Sequence, residues 1–368
     1  MKEIRKIIAA YDAWRQTGAE MALATVVKVE ESSYRRIGAR MLVSSAGLFV
    51  GGISGGCLEG NALKKAQMAI HKKAVSKVVY DTLEEEDHQI GIGLGCNGRI
   101  EILFSPIDLE DANNSIELLR QTIEANRPAL MLKIIASSDK SLLGINQLLV
   151  DNLELASIGD LRKADLESAI EITLDRKKPK VFHFKNTSGE KIELLSEYLR
   201  PETRLVIVGN NYDVNALIGV ANELGWQVSV VGKKGKILKS ISDVVKRIYD
   251  YSEVEKIPID EYTAVILMTH DYHWDLEMLP HFIRKDLPYL GMLGPRKRFD
   301  KLNDELQEKI NSEDLTNLTH IHGPVGLDIG AESPEEISLS IAAEIVSIFR
   351  KRDARPLKFR IGTIHERE

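Results

Sequence analysis

Cysteine is scarce in this chain: two residues in 368. Two thiols exclude a disulfide framework and cannot hold even one four-cysteine iron–sulfur cluster. Long apolar runs are also missing, and none approaches the roughly 20 residues that span a bilayer. Positive charge is not in excess either. With 49 Lys and Arg against 55 Asp and Glu, the net charge is −6 and carries no nucleic-acid footprint. The short clusters Arg35-Arg36 and Arg296-Lys297-Arg298 read as solvated surface unless a phosphate lies nearby. The opening MKEIRKIIAAYDAWRQTGAE has an amphipathic helical pattern with acidic residues, unlike a signal peptide, so a reducing cytoplasm is the expected compartment. What remains is an ordinary soluble composition, 43% hydrophobic and 28% charged, long enough for two or three domains.

Both cysteines sit among glycines. Residues 51–60 read GGISGGCLEG, with Cys57 ahead of a helical pattern, and residues 91–98 read GIGLGCNG, with Cys96 inside. Packing does not require a thiol in such loops. Either they are inert free cysteines, the commonest fate of the residue, or they are chemistry. A thiolate is the useful form for soft metals and sulfur transfer, and a helix N-terminus favours it. Flanking glycines let backbone N–H groups face an anion, and Arg35, Arg36 and Arg40 add charge nearby.

Around these loops the pattern predicts strands at 21–29, 40–43, 48–50, 77–80 and 99–104, and a helix over 58–72. Residues 128–196 repeat that grammar without the thiols. An offset of 103 sets Ser54 on Ser157, Gly56 on Gly159 and Cys57 on Asp160. Such a repeat implies two half-domains stacked on a shared core. The expectation is an N-terminal α+β domain over 1–198, with an active half at about 1–107 and a degenerate half at about 128–198.

From residue 199 to 368 apolar strands alternate with helices, the pattern of a Rossmann-like, doubly wound parallel sheet. The overall fold class is therefore α/β. After the first strand stands Gly209-Asn210-Asn211-Tyr212-Asp213, one glycine of the three a dinucleotide fingerprint needs. After the second stands Lys233-Lys234 where an acidic ribose ligand is expected. Both departures count against NAD(P). Ligands of open α/β sheets bind outside the strands' carboxyl ends. There the candidates are Gly209, Asp213, His270, Asp271, Arg296, Arg298 and Asp328, with His270 and His273 equally readable as hydrogen-bonded loop histidines. No spacing resembles a protein-only metal ligand set. Ser333, Pro334 and Glu336 predict a capping box opening the last helix.

ATVVKVEESSYRRIGARMLV, GGISGGCLEGNALKKA and GIGLGCNGRIEIL resemble the N-terminal domain of the XdhC/CoxI family. These are accessory proteins of xanthine dehydrogenase and related molybdenum hydroxylases. THDYHWDLEML, YLGMLGPRKR and GPVGLDIGAESPEEISLSIAAEI resemble its C-terminal Rossmann domain. The resemblance covers nearly the whole chain and is least distinctive at 108–200. It implies a chaperone, without turnover of its own, that binds molybdenum cofactor (molybdopterin) as cargo. The cargo is held for sulfuration and inserted into an apo-hydroxylase, a role within purine catabolism for xanthine dehydrogenase. A cysteine desulfurase and the apo-enzyme are the implied partners, and a homodimer is a reasonable assembly. By position the resemblance implies roles for Cys57 with Gly55, Gly56 and Glu59, and for Cys96 with Gly95 and Gly98. The competing readings are a nicotinamide-dependent oxidoreductase and a component of a xanthine dehydrogenase complex. With two cysteines the chain cannot be a complete hydroxylase by itself.

Overall fold

The computed structural model describes residues 1–31, 34–81, 98–150, 157–283, 286–310 and 314–361. Cys96 and Gly95 lie outside them. The chain divides into two compact units, Met1–Pro201 and Glu202–Glu368.

The first unit holds two antiparallel sheets. One combines β1 (Met21–Glu31), β2 (Arg40–Ser44), β3 (Phe49–Gly51), β4 (Ser76–Asp81) and β5 (Gly98–Pro106) in the order β3-β2-β1-β5-β4. The other combines β6 (Ala129–Ser137), β7 (Asn146–Val150), β8 (Lys180–Lys185) and β9 (Lys191–Leu199) in the order β7-β6-β9-β8. Helices α1 (Lys2–Gln16), α2 (Glu59–Lys72), α3 (Ser115–Ala125) and α4 (Lys163–Arg176) complete it. The two-residue period of β1 sorts its side chains. Ala22, Ala24 and Val26 join Ala62, Ala66 and Ala69 of α2 in one core, where small residues bring helix and strand close. On the other face Val27 meets Leu103, Ile135 and Leu195, so the sheets pack directly on each other there. In the second sheet Leu130, Leu132 and Ile134 share a core with Leu166 and Ala169 of α4. Further along, α1 and α3 fill the space with Ile7, Tyr11 and Leu119, packed against Met131 of β6.

Both sheets carry a register shift in their first strand, at Val26/Lys28 and at Ile134/Ala136. Helix ends correct the alignment read from sequence. The left-handed C-caps Lys73 and Lys177 are 104 residues apart, as are the N-caps Leu58 and Arg162. With that offset Cys57 stands opposite Leu161, and Gly56 (φ +115°) stands opposite Asp160 (φ +52°). The positive backbone angle recurs in both halves; the thiol does not.

A polar knot is buried at the sheet interface. Arg40 on β2 donates to Glu197 on β9 at 2.5 Å and to the Gly38 carbonyl at 2.6 Å. Lys133 on β6 is also buried and donates to Ser115 at 3.2 Å. Burial chiefly, and then Arg40, pushes the Lys133 pKa down to about 8, against the opposing pull of Glu197. One carboxylate thus serves two buried cations.

The second unit is a six-stranded sheet of β10 (Arg204–Val208), β11 (Gln227–Val231), β12 (Arg247–Tyr249), β13 (Thr263–Leu267), β14 (Tyr289–Met292) and β15 (Ile321–His322). The order is β12-β11-β10-β13-β14-β15 and every pairing is parallel. Helices α5 (Val214–Leu224) and α9 (Pro334–Phe349) cover one face, with the four-residue α6 (Lys239–Ser242). Helices α7 (Tyr272–Ile283) and α8 (Arg296–Ile310) cover the other. The Rossmann-like, doubly wound parallel fold expected from the sequence is the one present. Crossing from β10 outward in both directions places the topological switch point between β10 and β13. Ser333 and Glu336 form the capping box of α9, with Pro334 at its start. Among the described residues no helix is long and apolar enough to cross a membrane.

Candidate functional site

In the first unit the loop from Gly52 to Leu58 is clasped from both sides. Glu59, the first residue of α2, accepts from the Ser54 amide at 2.9 Å and the Ile53 amide at 3.2 Å, and Ser54 Oγ donates to its other oxygen. Burial alone would raise the Glu59 pKa. The Ser54 hydroxyl and the Ser54, Glu59 and Ile53 amides outweigh it and hold the carboxyl below its ordinary value. Ser54 Oγ in turn accepts from Gly56 N at 3.2 Å and Leu58 N at 3.1 Å. The loop therefore winds around one serine.

Cys57 Sγ lies 3.7 Å from that same oxygen. The side chain is half-buried, packed on the core of α2 and the first sheet, and its thiol is free. Gly56 at φ +115° takes a conformation that a side chain would strain. Neither the Gly55 nor the Cys57 amide has a hydrogen bond among the described residues.

On the outer side, Glu3 of α1 pairs with Arg35 and accepts from Gly52 N at 3.3 Å. It thereby joins the turn after β1 to the Cys57 loop. The exposed Tyr34 ring lies over Gly55, 3.4 to 3.8 Å from where a Cβ would stand. The strands that flank the second cysteine loop end nearby. Asp81 pairs with Arg99, Gly98 pairs with Glu31, and Tyr80 Oη donates to Asn61 of α2 at 2.9 Å.

Several expected roles move. Arg40, expected to add charge to the loop, is buried in the sheet interface on Glu197, and Arg35 is held by Glu3. Glu59 spends its oxygens on the loop itself. What this face offers a ligand is a soft thiol, an aromatic ring and two amides without a hydrogen bond among the described residues. Sequence reasoning missed Glu3 and Tyr34, whose roles arise from contacts distant in the chain, 49 residues for Glu3 and Gly52. It also missed Ser54, whose partners Gly56, Leu58 and Glu59 are close in sequence but form no recognisable pattern. The SYRR and ISGG strings mark only their type.

In the second unit the loops after β10 and β13 meet at the switch point. Gly209 has φ +142°, and a Cβ there would stand 2.3 Å from the Met268 carbonyl oxygen. Asn211 Nδ2 donates to the Thr269 carbonyl at 3.0 Å, and Asn210 Nδ2 to the Lys236 carbonyl at 3.0 Å. Asparagine side chains thus bind neighbouring loops where a fingerprint would present glycine backbone. His270 adopts φ +56°, a left-handed conformation uncommon outside glycine. Its Nε2 lies 2.7 Å from Asp213 Oδ2, while Asp213 Oδ1 is buried with no partner among the described residues.

Asp271 accepts from His273 N at 2.9 Å and caps α7. Buried Asp275 accepts from Thr269 Oγ1 at 2.5 Å and pairs with Arg298. Asp271 and Arg298, expected as ligand contacts, are therefore engaged by the protein. Arg296 is exposed, bonded to Asp300 at 2.9 Å, and Asp328 is exposed. Glu344 of α9 shapes the loop between them: it accepts from Gly326 N at 2.8 Å and from Tyr289 Oη, and meets His322 at 3.3 Å. Of the predicted residues, Gly209, Asp213 and His270 come together at the switch point. The others stand at the ends of β13–β15 or cap helices.

The chain is 28% identical to a xanthine dehydrogenase of known structure from Bacillus halodurans, with a TM-score of 0.72 over 96% of this chain and 98% of that one. A Bacillus subtilis protein described as a probable subunit of xanthine dehydrogenase is 27% identical over 347 residues, 93% of this chain and 97% of its own length. The molybdenum cofactor insertion chaperone PaoD of Escherichia coli is 23% identical over 333 residues, 90% of this chain and 84% of its own length. Residues 14–81 match the profile of the XdhC and CoxI family, and residues 205–345 match that of the XdhC Rossmann domain. The chain belongs to the XdhC and CoxI family.

Proposed function

We propose that this protein is an accessory chaperone that binds molybdenum cofactor as cargo at the Cys57 loop, holds it for sulfuration and delivers it to an apo molybdenum hydroxylase. Xanthine dehydrogenase is the expected client and a cysteine desulfurase the sulfur source. The observation that carries the reading is the Cys57 loop: one thiol on a serine-centred turn, beside two amides that have no hydrogen bond among the described residues. Molybdenum and its dithiolene are soft, and thiolate is the protein's soft ligand. The pterin's phosphate and the oxo groups are hydrogen-bond acceptors that suit the Gly55 and Cys57 amides. Kinship with an insertion chaperone supports the same role. The Gly209–Asp213–His270 cluster is a second candidate contact, in the Rossmann-like unit.

The test is direct. The full chain, purified from a strain that makes the cofactor, should carry pterin and molybdenum, and Cys57→Ala should load apo-hydroxylase at least about tenfold more slowly, the factor that one lost interaction of about 1.4 kcal/mol gives. A wild-type chain free of both, or unimpaired loading by Cys57→Ala, refutes the proposal. Hydride transfer to or from a nicotinamide by the isolated chain would favour the oxidoreductase reading instead.

A further inference from the structure

We infer that Tyr34 is the stacking face for the cargo's flat heterocycle, opposite the thiol end of the same loop; this rests on the cofactor reading above. Three observations carry it. Tyr34 is 71% exposed, yet its ring sits over Gly55, with Cγ, Cδ1 and Cδ2 at 3.4, 3.5 and 3.8 Å from where a Cβ would stand. The seat is built: Arg35 is pinned to Glu3, whose carboxylate also takes Gly52 N, and the turn that follows is closed by Gly38 N on the Val26 carbonyl at 2.8 Å and Ala39 N on the Arg36 carbonyl at 3.0 Å. A ring held at a fixed place while most of its surface faces outward offers a π surface to a ligand. Finally, two of the three arginines close to the loop in sequence are committed, Arg35 to Glu3 and Arg40 to Glu197. Ring contact then becomes a large share of the affinity on this face.

A fused heterocycle has two π faces, and each stacked ring changes affinity by roughly 5- to 150-fold on removal of the aromatic partner. The division of labour is spatial. Tyr34 takes the ring, the Gly55 and Cys57 amides take an anionic group, and Cys57 takes the metal end. The tyrosine hydroxyl has no part in this, so phenylalanine should substitute for it.

The experiment compares wild type, Tyr34→Phe, Tyr34→Leu and Tyr34→Ala as full chains from a cofactor-making strain. Bound pterin per chain is measured after oxidation to its fluorescent form, and affinity by titration with molybdopterin released from a donor hydroxylase. Tyr34→Phe should bind within twofold of wild type. Tyr34→Leu and Tyr34→Ala should bind at least about fivefold more weakly, with unchanged melting temperature. Wild-type affinity in Tyr34→Leu and Tyr34→Ala overturns the stacking role and leaves the cargo reading standing. A wild-type chain that binds no pterin overturns both. Loss in Tyr34→Phe equal to that in Tyr34→Leu overturns the stacking role in favour of the hydroxyl.

Discussion

Lys133 gives the sharpest stability test. It is buried beside Arg40, with Glu197 as the shared counter-charge, and its pKa falls from an ordinary 10.5 to about 8. A lysine whose pKa is depressed by folding holds its proton less readily in the native state. Between pH 8 and 10.5 the unfolded chain therefore binds more protons than the folded one, and stability rises with pH. Below pH 8 the charged lysine costs the fold about 3 kcal/mol, from 1.36 kcal/mol per unit over the shift to about 8. Lys133→Met keeps the stem's volume and removes the proton. Relative to wild type it should be stabilised near pH 7 by up to that amount, about 6–12 °C in melting temperature for a unit of this size. The advantage should shrink as the pH approaches 10.5. Thermal unfolding of both full chains at a series of pH values isolates the effect, because every other group titrates alike in both. A difference that stays constant from pH 7 to 10.5 refutes the assignment of a depressed lysine, whatever its sign.

Two further outcomes follow from the same physics. Glu197→Ala strands Arg40 and Lys133 as buried cations with no carboxylate, and should destabilise the chain by about 3–5 kcal/mol; urea unfolding with a loss below 1 kcal/mol would contradict a buried pair. Gly209→Ala drives a methyl to within 2.3 Å of the Met268 carbonyl at φ +142°, costing about 3 kcal/mol or more, so a wild-type melting curve would show that the two loops do not touch.

Much of this arrangement is legible from sequence because its signals are local. The apolar runs at 204–208 and 227–231, the helical period of α2 and the Ser333–Glu336 capping box depend on neighbours a few residues away. The short strands β12 and β15, three and two residues long, carry too few side chains to show a period. The repeat is visible in the residues, but its offset reads one too short, because loop residues such as Ser54 and Ser157 match by type where the helix ends do not. Site residues divide in the same way. Cys57 and its glycines stand out by type, and so does His270. Arginine gives no hint of its partner: Arg40 and Glu197 are 157 positions apart in the chain. Charge near a motif in sequence is therefore weak evidence of charge near it in space.

The Arg40–Glu197 pair also bears on how the first unit arose and how it can be cut. Whatever the history of its two halves, each now holds one end of a buried ionic bond that only the other can satisfy. A fragment carrying the thiol loop alone would bring Arg40 into a core without its carboxylate, and would expose the apolar face around Val27 and Leu103. The half without cysteine is thus an obligate companion fused in place, and minimal versions of this protein should be sought by trimming loops rather than by halving the unit.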